Sequence, residues 1–84
     1  MTLEDFLKVV GPESRIHIAV IREDGIVGAF GYKQKVMQEL VHFGICTFKQ
    51  YEIYSISQGT TFVIGDNEDE DTEEKYIEVL AKEN

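Results

Sequence analysis

The chain has a single cysteine among its 84 residues, no apolar run of membrane-spanning length and no cluster of basic residues. Cys46 alone can form no internal disulfide, so a reducing, cytoplasmic setting is expected. No stretch approaches the length of a signal peptide or a transmembrane helix, and no membrane contact is expected. Affinity for a phosphate backbone rests on clustered Lys and Arg, whose scatter here argues against direct nucleic-acid binding.

What the chain does have is hydrophobic and aromatic content, 43% and 11%, enough for one modest folded core that needs no cofactor. Its net charge of -8 is unevenly spread. Residues 1–65 are nearly balanced at -1, whereas residues 66–84 carry -7. The expected organisation is a compact domain over 1–65 followed by an acidic C-terminal segment over 66–84.

Hydrophobic periodicity assigns the elements. "TLEDFLKVVGP" reads as a helix near 2–10, with Thr2 as its N-cap, Glu4 and Asp5 in the first turn, and Gly11-Pro12 as its stop. "RIHIAVIREDG" alternates Ile16, Ile18 and Val20 with His17, Ala19 and Ile21, predicting a strand near 15–22 and a hairpin turn at Asp24-Gly25. "IVGAF" is the returning strand near 26–30. In "GYKQKVMQELVHFG" the period changes, and Val36, Leu40 and Phe43 form the stripe of a helix near 32–43. Beyond it, "TFKQYEIYSIS" and "TTFVI" predict strands near 47–57 and 60–65, joined by a hairpin at Gln58-Gly59.

The expected fold is therefore α+β, in the order α-β-β-α-β-β: a small antiparallel sheet with two helices on one face. The expected core is Phe6, Leu7, Ile16, Ile18, Val36, Leu40, Ile53 and Phe62. In the tail, Tyr76 with Leu80 and Ile77 with Ala81 have helical spacing, while Ile77, Val79 and Ala81 also suit a strand face. Helix is the expectation there.

Seven carboxylates crowd into the nine residues Asp66 to Glu74. As a calcium loop, Asn67, Asp69, Asp71, Glu73 and Glu78 fall at ligand positions. However, Thr72 stands where the sharp turn needs glycine, and "TTFVI" precedes the run where a helix is required. No metal site is assigned. The run reads as a solvated segment, or as one that meets a basic partner.

Gly25, Gly28 and Gly31 have the wrong spacing for a phosphate-binding loop and read as turn and bulge glycines. His42 and Cys46 are separated by Gly44, His17 lies among apolar strand residues, and Ser55 and Ser57 have no nearby base. No catalytic residues and no enzymatic activity are assigned. The aromatics Tyr32, Phe48, Tyr51 and Tyr54 exceed what the core needs, and exposed aromatics on a sheet are favoured contact residues. The candidate partner-binding residues are Tyr51, Tyr54, Glu68, Asp69, Glu70, Asp71, Glu73 and Glu74.

Over residues 2–64, the succession "TLEDFLKVV", "SRIHI", "EDG", a helix, "YEIYSIS" and "TTFVI" resembles small accessory proteins of phages and prophages of Gram-positive bacteria. The resemblance implies a cytoplasmic host-takeover or anti-defence role, as anti-CRISPR proteins have, exercised by occupying a protein's binding surface. The expected partner is a host or phage protein with a basic surface, and a homodimer is possible. The alternatives are a calcium- or metal-binding module and a homo-oligomeric structural protein with a solubilising tail.

Overall fold

The computed structural model describes residues 1–64 and 71–83, and for residues 61–64 and 71–73 the backbone pairing only. The elements are α1 (Leu3–Val9), β1 (Arg15–Arg22), β2 (Gly25–Tyr32), α2 (Lys33–His42), a single 3-10 turn (Phe48–Gln50), β3 (Tyr51–Ile64) and β4 (Asp71–Glu83).

Both helices have ends written into their sequences. At the start of α1 the Asp5 N–H donates to Thr2 Oγ1 at 3.2 Å, and the Thr2 N–H donates to Asp5 Oδ2 at 3.1 Å, closing a capping box. Helix α2 ends in a Schellman motif. Gly44 takes φ +91, its N–H donates to Val41 O, and the Ile45 N–H reaches back to Leu40 O, both at 2.9 Å. The motif drives Ile45 inward beside Leu40, and both are fully buried.

The four strands form one mixed sheet in the order β2-β1-β4-β3. β1 pairs antiparallel with β2 from Arg15↔Tyr32 to Arg22↔Gly25, and parallel with β4 from Ile16↔Ile77 to Ile21↔Lys82. β3 and β4 pair antiparallel from Tyr51↔Glu83 to Ile64↔Asp71, with a bulge at Tyr54. β4 joins β1 only from Ile77 onward, so residues 59–64 and 71–76 pair solely with each other and form a two-stranded arm beyond the sheet.

Three expectations need correction. The sheet is mixed, not antiparallel, because its central pair β1–β4 runs parallel. Residues 51–64 form one strand, with Gln58-Gly59 inside it and no hairpin there. The tail is a strand and not a helix: Ile77, Val79 and Ala81 alternate toward the core, and the last two are fully buried between β1 and β3. A boundary at 65/66 thus falls between two strands of a single sheet.

The core is one cluster. It joins Leu3, Phe6 and Leu7 of α1 and Val36 and Leu40 of α2 to Ile16, Ile18 and Val20 of β1, with Ala29, Val79 and Ala81 beside them. Ile53 packs at its edge, and the side chain of Phe62 lies outside the described residues. Fully burying an Ile or Leu side chain contributes about 1.5–3 kcal/mol, so this one face supplies most of what holds the fold.

Candidate protein-binding surface

Strand side chains alternate between faces, so the residues between those core positions share the opposite face. They are Arg15, His17, Ala19 and Ile21 on β1, with Ile26, Gly28, Phe30 and Tyr32 across from them on β2. On β4 they are Glu74, Tyr76, Glu78, Leu80 and Lys82. None of these residues is buried.

An aromatic cluster occupies the middle of this face. The Phe30 and Tyr76 ring centroids are 5.3 Å apart at 81°, and His17 lies 6.1 Å from Phe30 and 6.3 Å from Tyr76. The two contacts of Tyr76 are edge-on, the positive rim of one ring meeting the negative face of the other, and His17 is tilted at 57° to Phe30. With Thr60 the three rings line a cleft of about 340 Å³. Tyr76 holds its position because its cross-strand partner is Gly59. A Cβ at Gly59 would collide with Tyr76 Cζ, so only glycine lets the ring lie across β3.

A charged cleft of about 430 Å³ shares Tyr76 with the first. In it Arg15 Nε lies 2.7 Å from Glu74 Oε2, and the Arg15 guanidinium sits 5.4 Å from the centroid of the Tyr32 ring. The Tyr32 side chain and, after it, the Glu74 carboxylate raise the Arg15 pKa above its ordinary value. At the far side of the face Tyr54, 54% exposed at the bulge of β3, borders a further cleft of about 410 Å³ with Glu52, Lys82 and Glu83.

The structure divides the residues singled out by sequence. Tyr54 is exposed as expected of a contact residue, and so is Tyr32. Tyr51 is corrected: at 5% exposure it belongs to the core, because β3 begins beneath α1 and the 3-10 turn, where alternation turns residue 51 inward. Phe48 packs against the same cluster. Glu74 is engaged by Arg15, while Asp71 and Glu73 lie on the arm with only their backbone described. Glu68, Asp69 and Glu70 lie outside the described residues.

Sequence reading missed the cluster of His17, Phe30 and Tyr76. Its signal was present in the outward register of "RIHIAVIR" and in a glycine facing an aromatic, but finding it required knowing that β4 lies beside β1. Among the described residues no group of three or more His, Cys, Asp or Glu could hold a metal ion. Asp71 to Glu78, the last eight positions of the conceivable calcium loop, is extended strand paired with β3, a path that does not wrap around an ion. Among the described residues no helix is long and apolar enough to cross a membrane. No family model, no curated protein and no solved structure matches the chain.

Proposed function

We propose that this chain is a non-enzymatic interaction protein that docks on a partner protein through the sheet face opposite its core, helped by its acidic arm, and inhibits that partner. The observation that carries the reading is the row of half-exposed aromatics on one sheet face, Phe30, Tyr32, Tyr54 and Tyr76, bordered by Glu52, Glu74, Glu78 and Glu83. Aromatic anchors with a polar rim are the usual anatomy of a protein interface, and large rings contribute contact area at low entropic cost. Carboxylates around them, together with the acidic run that the sequence carries from Asp66 to Glu74, favour a basic partner surface.

The resemblance to phage accessory proteins supports a bacterial host protein as the target, in an anti-defence or host-takeover role in the cytoplasm. The test is co-purification from a Gram-positive host with the tagged native chain, with Tyr54→Ala, and with Val41→Ala, which alters an exposed residue of α2. One protein retained by the native chain and by Val41→Ala but lost with Tyr54→Ala supports the reading. Equal recovery by all three moves the interface off this face.

A further inference from the structure

The two edges of the sheet are treated differently. On β3, the outer edge begins under the N-terminus: the Ile53 N–H donates to Met1 O at 2.9 Å and Thr2 bridges to Glu52, after which the bulge at Tyr54 breaks the register. A terminal segment, a bulge and a charged residue are the devices by which proteins blunt an edge against strand addition. β2, the other edge, has none of them. Its sequence "GIVGAFGY" holds no charge and no proline, and it pairs with β1 over eight consecutive positions without a bulge. Among the described residues no strand pairs with its outer side.

The hairpin geometry says which backbone groups are free. Arg22 and Gly25 close a two-residue turn and face each other as a hydrogen-bonded pair. Bonded and non-bonded pairs then alternate, so the N–H and C=O groups of Ile26, Gly28 and Phe30 point away from β1. On the open face Ile26 is 70% exposed and Phe30 36%.

We propose that β2 is a homodimerisation edge: two copies pair their β2 strands antiparallel about a two-fold axis at Gly28, making one continuous eight-stranded sheet. In that register Ile26 of each copy faces Phe30 of the other, and both glycines meet at the axis. The free groups of residues 26, 28 and 30 all find partners. Shifting the centre to Val27 would set Ile26 against glycine and Phe30 against the turn residue Asp24, which loses the apolar contact. Such an interface is isologous and closes on itself.

Charge selects a second copy as an acceptable occupant despite the net charge of -8. The strand order puts the acidic arm on the side away from β2. In the dimer the two β4 strands lie five strand spacings apart, roughly 24 Å, against a screening length of about 8 Å at physiological ionic strength. The repulsion between the arms is therefore largely screened, and the abutting strands bring no charge of their own.

Sedimentation equilibrium from micromolar to millimolar concentration tests the proposal, together with amide hydrogen exchange at both ends of that range. The native chain is expected to pass from monomer to dimer, with the amides of Ile26, Gly28 and Phe30 gaining protection as concentration rises. Ile26→Lys, which places a charge at an exposed position, and Gly28→Pro, which removes an outward N–H that β1 does not use, should both remain monomeric. A native chain that stays monomeric at millimolar concentration overturns the proposal, as does a dimer that survives Ile26→Lys. The partner-binding reading stands or falls separately, since its marker Tyr54 lies on β3.

Discussion

Arg15 Nε and Glu74 Oε2 meet at 2.7 Å just beyond the point where β4 parts from β1. The pair clips the base of the two-stranded arm to the body of the sheet, and the stacking of Arg15 on Tyr32 extends the clip to β2. Both side chains are about a quarter to a third exposed, so solvent screening limits what the pair contributes.

Arg15→Ala is accordingly expected to cost about 0.5–1.5 kcal/mol, from a partly screened ion pair and one cation–π contact. The more telling readout is local. Amide exchange in residues 59–60 and 74–76 should quicken more than exchange in β1, and chemical denaturation supplies the global figure. A uniform rise in exchange would mean that the arm opens only with the whole fold.

Leu40 is fully buried where α2 meets the sheet, and Leu40→Ala should cost about 2–5 kcal/mol. Val9→Ala, on the same layer but 75% exposed, should stay within about 0.5 kcal/mol of the native chain. Thermal melts of the two variants check the contrast.

Gly59→Ala should destabilise by about 1–3 kcal/mol, the cost of forcing a methyl group into an occupied space. Tyr76→Ala should suppress most of that penalty, because the clash is with its ring. The double variant therefore should show a coupling that the sum of the single variants does not, which denaturation of all three chains measures.

The Thr2 N–H and, after it, the Thr2 hydroxyl hold the Asp5 carboxyl below the usual carboxylate range. A folded-state pKa lower than the unfolded one means stability that is present above the unfolded value, roughly pH 4, and lost as pH falls through the folded value. Asp5→Asn should remove that part of the acid dependence, flattening the melting temperature below about pH 4, while Thr2→Ala should cost about 1 kcal/mol at neutral pH.

The first half of the fold was legible because its signals are local. Thr2, Gly11-Pro12 and the alternation of Ile16, Ile18 and Val20 act within a few residues of themselves, and α1, β1, β2 and α2 lie within two residues of where periodicity put them. The second half depends on contacts distant in sequence. Glu, Lys and Ala in residues 73–82 favour helix locally, yet the gap between β1 and β3 takes an extended strand, and burial of Val79 and Ala81 outweighs that propensity. Gly59 looked like a turn because the tyrosine that needs it lies 17 positions away. The Schellman end at Gly44, and with it the burial of Ile45, was not read from the sequence, because it depends on the chain turning back onto Leu40.

The acidic run and the aromatics should leave different kinetic marks on partner binding. Neutralising Glu68, Asp69, Glu70 and Asp71 together should slow association and flatten its salt dependence, because charge steers encounter over about 10 Å at 0.1 M ionic strength. Surface plasmon resonance at several salt concentrations reads both effects.

The central claim, that the sheet face opposite the core is the docking surface, is tested most directly by the dissociation rate of the captured partner from the native chain and from Tyr54→Ala with Tyr32→Ala. Loss of desolvated aromatic anchors should raise that rate about tenfold or more, equivalent to roughly 1.4 kcal/mol, with the fold intact by circular dichroism. A dissociation rate unchanged in that double variant would contradict the claim.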